Sequence, residues 1–266
     1  MVNSRRGFLG SALAAATAAP ADAAVTIDAY CSLGVDREYD LTEKSLLEAM
    51  DRARVARAVI APVDRYLAVD NRAGNDAMRK AARQGRLIPA CSVNPWYGRR
   101  AVEEFRRAAG QGARMLVLHP LVQGFTADDE LVFPLVEAAA AEKMPVYIHT
   151  GPPGNATPWQ VAALAERFPQ ADLILGHCGA TDFWNDVALA AGTLPNLYLE
   201  SSMARPFLFA AYVQAVGGRR GMLGSWAPLN DLEFEWSQMR KFLPGEFWAD
   251  VAGGTLRRLL EKRGPL

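Results

Sequence analysis

The chain has 266 residues, 50% hydrophobic and 22% charged, a length and balance that suit one α/β domain. Its 29 basic and 29 acidic side chains cancel, so it lacks the positive field that attracts nucleic acid or an anionic membrane surface. Its three cysteines form no CxxC pair, which argues against a disulfide framework and against a structural zinc site. We therefore expect a small-molecule substrate or ligand as the partner, and no nucleic acid.

The N-terminal segment 1–23 has the pattern of an export signal. Arg5 and Arg6 are adjacent, and the apolar residues that follow are rich in alanine and end in the small-x-small sequence ADA at Ala23. This pattern resembles a twin-arginine signal peptide. We expect cleavage after Ala23, a mature domain of residues 24–266, and a periplasmic or otherwise exported protein. No later segment is long and apolar enough to span a bilayer, so we expect no membrane association after signal removal.

From Val25 onward, short apolar runs alternate with amphipathic stretches. The eight predicted strands read, in chain order, VTIDAY, ARAVIAPV, LIPACSVNP, ARMLVLHP, PVYIHTG, ADLILGHCG, NLYLESS and GMLGSWAP. The stretches between them carry apolar residues at three- and four-residue spacing, as amphipathic helices do. Eight buried strands, each followed by a helix, predict a single-domain (β/α)8 TIM-like barrel. An open, doubly wound sheet is disfavoured because no GxGxxG follows the first strand.

All three histidines of the chain lie at the ends of predicted strands. His119, His149 and His177 close the fourth, fifth and sixth strands. The active site of such a barrel lies at the carboxyl ends of its strands. Neighbouring strands are about 4.8 Å apart, so the three imidazoles can converge on one point. The alternative is that each histidine is a hydrogen-bonded packing residue.

Several segments together resemble a known family. The segments ARMLVLHPLVQGF, PVYIHTG, LILGHCG, NLYLESS, GMLGSWAPLND and VAGGTLRRLL are similar, in order and spacing, to the amidohydrolase-related (amidohydrolase type 2) family. That family contains metal-dependent hydrolases and the aminocarboxymuconate-semialdehyde decarboxylase group. The resemblance implies a TIM-like barrel with a divalent metal, usually zinc, at its mouth. It also implies the metal ligands: a His-x-His on the first strand, histidines on the fifth and sixth strands, and an aspartate on the eighth.

Three of the implied metal ligands are replaced in this chain. The resemblance places His149 and His177 on the fifth- and sixth-strand ligands, but Tyr30 and Ser32 stand where the first-strand histidines belong, and Trp226 stands where the aspartate belongs. Neutral hydroxyls and an indole are poor zinc ligands. Any metal is therefore expected on His149 and His177, in a rearranged site with His119 as a third ligand.

Metal-free chemistry is the second interpretation of the same residues. His177 or His149 would act as a general acid or base, and Glu200, at the end of the seventh strand, would supply a catalytic carboxylate. Arg205, just after that strand, is a candidate clamp for a substrate carboxylate.

Further substrate contacts are expected from four side chains at the ends of the strands: His119, Tyr30, Ser32 and Trp226. The serines at strand ends lack the G-x-S-x-G pattern of a nucleophile elbow, so a serine hydrolase triad is not expected. Asp28 is expected to be an internal hydrogen-bond acceptor, because a buried carboxylate needs partners.

The leading functional hypothesis is an exported hydrolase that acts on a small organic acid, amide or lactone, with a decarboxylase as a variant of it. The alternative is a catalytically silent barrel that binds a small ligand in the same pocket. A homo-oligomer is expected from the resemblance alone.

Overall fold

A computed structural model describes residues 25–37, 39–151, 154–180 and 182–266. The export signal predicted for residues 1–23 lies outside these ranges. The strands are β1 Ile27–Val35, β2 Asp40–Leu41, β3 Arg57–Pro62, β4 Leu87–Ser92, β5 Met115–Leu118, β6 Val146–His149, β7 Leu173–Gly176, β8 Leu197–Glu200 and β9 Gly221–Met222.

Twelve α-helices are present in the described part of the chain. They are α1 Glu43–Ala53, α2 Asp64–Ala68, α3 Asn71–Ala81, α4 Arg99–Gly110, α5 Pro120–Gln123, α6 Phe133–Ala141, α7 Pro158–Arg167, α8 Trp184–Ala191, α9 Pro206–Val216, α10 Leu232–Phe242, α11 Gly245–Ala249 and α12 Thr255–Leu260. A π-helical turn, Asp250–Gly254, joins α11 to α12. No helix of these residues is long and apolar enough to cross a membrane.

The sheet is a closed parallel barrel. Its strand order is β2-β1-β3-β4-β5-β6-β7-β8-β9, and every pairing is parallel except the antiparallel hairpin contact of β2 with β1. The segment after β9 returns to β1: the Ala29 amide donates to the Leu223 carbonyl at 2.9 Å, and Cys31 pairs in parallel with Ala227. The predicted single-domain (β/α)8 barrel is confirmed, with β2 as an addition to it.

Side chains along the strands alternate between the barrel interior and the helices. Val117 and Tyr147 belong to the cluster inside the barrel, whereas their neighbours Leu116 and Ile148 belong to the cluster under the helices. This period of two follows from the pleat of a β-strand. It explains why the predicted strands were apolar at successive positions rather than at every second one.

Local sequence signals set the helix starts. At α7, the Thr157 side chain accepts from the Gln160 amide at 3.3 Å, and the Gln160 side chain accepts from the Thr157 amide at 2.8 Å. Pro158 occupies the first turn, where its missing N–H costs nothing. This capping box begins the helix directly after the loop that follows β6.

Asp28 accepts hydrogen bonds at the point where the barrel closes. It is fully buried, and Oδ1 accepts from the amides of Tyr30 and Ser225, each at 3.1 Å. Oδ2 accepts from Trp236 Nε1 at 2.8 Å. Burial raises the pKa of Asp28, and these hydrogen bonds oppose that rise. The expectation that Asp28 is an internal hydrogen-bond acceptor is confirmed.

Candidate active site

The carboxyl ends of three adjacent strands bring the three histidines together. His149 is the last residue of β6, while His119 and His177 directly follow β5 and β7. All three are buried, yet their rings line one cavity of about 980 Å³ at the barrel mouth. Trp226 forms a further part of its wall. The position of these residues matches that of catalytic side chains in other barrels of this type.

The three imidazoles contact one another directly. His177 Nε2 lies 2.7 Å from His149 Nδ1, which is hydrogen-bonding distance. The ring of His149 stacks on that of His119, with centroids 4.0 Å apart and planes 13° apart. The remaining ring nitrogen of His149, Nε2, is buried and has no hydrogen-bond partner among the described residues. Such an orphaned polar atom calls for an explanation.

Glu200 lies beneath the histidines, at the end of β8. Its Oε2 accepts from the Tyr147 hydroxyl at 2.6 Å, from the Ser202 hydroxyl at 2.7 Å and from the His177 amide at 3.0 Å. Its Oε1 accepts from the Ser202 amide at 2.7 Å. Ser202 Oγ is also 2.7 Å from His177 Nδ1. Glu200 is thus joined through Ser202 to the histidine pair.

Burial controls the protonation of this group. It lowers the pKa of His177 to about 3 and that of His119 to about 4. Burial, together with the neighbouring His119 and His177, holds the pKa of His149 well below its usual value. Burial also raises the pKa of Glu200, against the hydrogen bonds that it accepts. The three imidazoles are therefore neutral at neutral pH.

The backbone at three of the described non-glycine residues that line the cavity is in the left-handed region. His177 has φ 65°, Met203 has φ 64° and Trp226 has φ 57°, a conformation that non-glycine residues rarely adopt. At His177 this conformation directs the amide at Glu200; at Trp226 the amide donates to the Tyr30 carbonyl at 2.9 Å. Such strain is typical of functional sites in folded proteins.

Aromatic rings fill the floor of the site. Tyr30 is fully buried and stacks on Tyr147 with ring centroids 4.7 Å apart. Its ring also meets His149 edge to face at 4.8 Å, and the Trp226 ring lies 4.2 Å from that of His177. Ser32 is buried as well. Tyr30, Ser32 and Glu200 support the cavity from below and do not line it, whereas His119 and Trp226 do.

Arg205 lies away from the cavity. Its guanidinium stacks over the Trp184 ring at 4.0 Å, and it is not among the described residues that line the cavity. The cationic side chains that do line it are Arg37 and Arg65. Neither arginine was predicted at the site, although Arg37 follows β1 by two residues and Arg65 follows β3 by three. A position just after a strand end was the signal that could have identified them.

The donor set does not fit a resident divalent metal. Both ring nitrogens of His177 and the Nδ1 of His149 are engaged in hydrogen bonds. The rings of His119 and His149 are nearly parallel, so their in-plane lone pairs do not converge on one ion. No group of three His, Cys, Asp or Glu side chains in the described part of the chain is arranged to hold a metal. The geometry therefore gives no support to the expected metal on His149 and His177, with or without His119.

Solved structures of similar fold include an uncharacterised TIM-barrel protein from Bordetella bronchiseptica, with a TM-score of 0.73 and 16% identity over 90% of this chain and 99% of that chain. The 5-carboxyvanillate decarboxylase of Sphingomonas paucimobilis has a TM-score of 0.69 and 18% identity over 90% and 99% of the two chains. A dihydroxybenzoic acid decarboxylase from Polaromonas, solved with bound manganese and 2-nitroresorcinol, has a TM-score of 0.70 and 13% identity over 89% and 96%.

No curated protein sequence matches the chain significantly. A family model described as Amidohydrolase matches residues 33–255, which is most of the barrel. The resemblance seen in the strand-end segments is thereby confirmed, and this chain belongs to the amidohydrolase family.

Proposed function

We propose that this protein is a metal-independent hydrolase of a small lactone, ester or amide, with His149 as its general base. The observation that carries the proposal is the buried Nε2 of His149, which has no hydrogen-bond partner among the described residues although its ring lines the cavity. Its lowered pKa keeps the His149 ring neutral at neutral pH, so one of its two nitrogens carries a lone pair, and this is Nε2 when the proton is on Nδ1. Nε2 is itself buried, so water reaches it only when the neighbouring rings move apart, and a neutral imidazole can then remove a proton from that water.

The chemical step needs only groups that are in place. A water molecule gives one proton to His149 Nε2, and its oxygen forms a bond to the substrate carbonyl carbon while the π electron pair of the carbonyl moves onto the carbonyl oxygen. That pair then re-forms the carbonyl as the bond from the carbon to the leaving oxygen or nitrogen breaks, and the leaving atom takes the proton back from Nε2. His119 supports the carbonyl: its Nδ1 accepts from the Val122 amide at 3.4 Å, so the single proton of its neutral ring is on Nε2 and can be donated.

The walls of the cavity suggest a substrate with an apolar body and polar ends. Trp226, Leu121 and Val122 offer apolar surface. The charged residues of the lining are of both signs: Arg37 and Arg65 lie there together with Asp36, Asp64 and Asp182. A guanidinium can bind a substrate carboxylate and an aspartate can accept from a substrate N–H or O–H, so a small lactone, ester or amide with an apolar body and polar ends suits these walls.

The test is turnover by chelator-treated protein on a panel of such lactones, esters and amides, measured by acid release in a pH-stat. We expect activity that survives the chelator and falls by about 10²- to 10⁴-fold in His149→Gln, the usual contribution of a general base. Ser201→Ala is the control, because Ser201 is buried nearby but bonds only to the backbone of Gly224.

Two results would overturn the proposal. Ligand binding, seen as thermal stabilisation, without any turnover would show a silent binding barrel. Release of carbon dioxide from aromatic carboxylates, the substrate type named for two of the similar structures, would show a decarboxylase.

We also propose that residues 1–23 export the protein by the twin-arginine route, as their paired arginines and small-x-small end suggest. Replacing Arg5 and Arg6 by lysine should keep the protein in the cytoplasmic fraction, and export of that variant would contradict the proposal. The homo-oligomer expected from the resemblance stays a prediction that light scattering on the purified protein tests.

A further inference from the structure

We propose that Ser202 and Glu200 fix the tautomers of His177 and His149, and so keep the buried Nε2 of His149 free of a proton. Ser202 does not line the cavity, so it is a positioning residue that acts through the two histidines. The inference deepens the proposed function at the same site and rests on it for the catalytic use of Nε2.

The chain of hydrogen bonds starts at the carboxylate of Glu200. Four donors surround Glu200, and two of them are the backbone amides of His177 and Ser202, which can only donate. The Tyr147 hydroxyl is the third, and the Ser202 hydroxyl is the fourth. The four donors favour the ionised form of Glu200, which only accepts, and so oppose the burial that raises its pKa. Ser202 therefore donates its single hydroxyl hydrogen to Glu200.

The donation of that hydrogen to Glu200 fixes the direction of the hydrogen bond between Ser202 and His177. Because Ser202 has no second hydrogen, its Oγ must accept in the 2.7 Å contact with His177, and Nδ1 of His177 must carry the proton. A neutral imidazole has one N–H, so Nε2 of His177 is bare. It accepts, at 2.7 Å, from Nδ1 of His149. The one proton of His149 is thereby on Nδ1, and its Nε2 is bare.

This chain of hydrogen bonds can also stabilise the positive charge that forms when His149 takes up a proton. When Nε2 of His149 takes a proton, the positive charge forms at one end of a continuous chain that ends at the Glu200 carboxylate. The same logic applies wherever a carboxylate orients a catalytic histidine, here with a serine hydroxyl between them. Without Ser202, His177 has no acceptor for its Nδ1 proton, and either tautomer of the histidine pair becomes accessible.

The chain offers a matched control one residue away. Ser201 and Ser202 are both fully buried at the end of β8. Ser201 Oγ contacts the Gly224 carbonyl at 3.4 Å and the Gly224 amide at 3.2 Å, with no histidine involved. Ser201→Ala therefore removes a buried hydroxyl of the same kind without touching the histidine pair. Ser202→Thr keeps the hydroxyl and serves as the rescue variant.

The experiment is a two-bond ¹H–¹⁵N correlation spectrum of the full chain labelled at histidine, which distinguishes protonated from bare ring nitrogens. We expect Nδ1–H tautomers for His149 and His177 in the wild type, in Ser201→Ala and in Ser202→Thr. We expect averaged nitrogen shifts for both histidines in Ser202→Ala. If a substrate is turned over, kcat of Ser202→Ala should fall by about 10- to 100-fold with little change in KM.

A protonated Nε2 on His149 in the wild type would overturn the inference, and so would an unchanged tautomer pattern in folded Ser202→Ala. The wild-type spectrum alone decides the question if that variant does not fold. The spectrum requires no turnover, so the outcomes of the two proposals can be distinguished. The expected tautomers without hydrolysis would overturn only the proposed function. Hydrolysis with a protonated Nε2 would overturn this inference and the role of His149 as the base, and would leave only the hydrolase activity.

Discussion

Nε2 of His177 and Nδ1 of His149 are 2.7 Å apart and share a hydrogen bond. In the family, these two histidines are implied metal ligands. Here they bind each other, and the residues that would complete a coordination shell are Tyr30, Ser32 and Trp226. The hydrogen bond engages one nitrogen of each ring, and Nε2 of His149 is the nitrogen of this pair that has no partner among the described residues.

The metal content of the protein tests whether His149 and His177 bind each other rather than a metal ion. The purified protein should hold no stoichiometric zinc or manganese by elemental analysis, and a chelator should leave its melting temperature unchanged. Reinstating the implied ligands by Tyr30→His, Ser32→His and Trp226→Asp together should create stoichiometric binding of zinc or manganese, because imidazole and carboxylate are good ligands for them. Wild-type protein that holds stoichiometric metal lost in His149→Gln would contradict the prediction.

The buried His119 should make the stability depend on pH. Its pKa is about 4 in the folded protein against 6.5 in the unfolded chain. The unfolded chain therefore binds more protons between these values, so this stability is fully present above pH 6.5 and is lost as the pH falls towards 4. Between pH 7.5 and 5.5 the loss is about 1.4 kcal/mol.

The matched measurement compares the wild type with His119→Asn in urea unfolding at both pH values. The variant lacks the titrating ring, so the difference in unfolding free energy between the two proteins should shrink by about 1.4 kcal/mol at pH 5.5. A difference that stays constant, or grows, would show that His119 is not buried as a neutral ring.

Glu235 should give the opposite dependence on pH. Burial, with added repulsion from Glu200, Asp28 and Asp231, raises the pKa of this partly buried carboxyl to about 7. The folded protein holds the proton up to a higher pH than the unfolded chain, so stability is lost as the pH rises towards 7.

Removing that charge should recover the lost stability. Glu235→Gln should raise the melting temperature above pH 7 and have little effect below pH 4.5, the ordinary value of the group. The control is Glu233→Gln, an exposed neighbour on α10 that pairs with Arg52 at 3.4 Å. An equal gain at both pH values would contradict the assignment.

The bond from Trp236 to Asp28 should contribute strongly to stability. Trp236→Phe removes the indole donor at 2.8 Å and leaves a buried carboxylate with one partner fewer. The expected loss is about 1.5–3 kcal/mol in urea unfolding, as for other hydrogen bonds to a charged group. Trp248→Phe is the control, since Trp248 meets Trp236 edge to face at 6.2 Å and makes no hydrogen bond to Asp28. Equal losses in the two variants would show that only aromatic packing matters.

Features governed by local periodicity were predictable. The apolar strands and the amphipathic helices between them follow from patterns a few residues long. The placement of the three histidines followed from the same patterns, because a parallel barrel collects all of its carboxyl strand ends at one mouth. Glu200 was predicted at the site for that reason too.

Features governed by the direction of side chains were not predictable. Arg205 also follows a strand, but its guanidinium rests on Trp184, and the arginines that line the cavity come from the loops after β1 and β3. Ser202 was set aside for lack of a nucleophile motif, although its two-residue spacing from Glu200 places it on the same side of the chain. A serine two residues after a glutamate is too common in sequences to indicate a site before its hydrogen-bond partners are known.

By itself, the sequence determined a closed (β/α)8 barrel of the amidohydrolase family with imidazoles at its mouth. Hydrophobic periodicity and the order of residue types are carried along the chain, so they need no knowledge of distant contacts. Only the tertiary structure decided which nitrogen of each histidine is engaged. That choice depends on hydrogen bonds between residues 25 or more positions apart, such as His177 with Ser202 and with His149, and no local pattern records them.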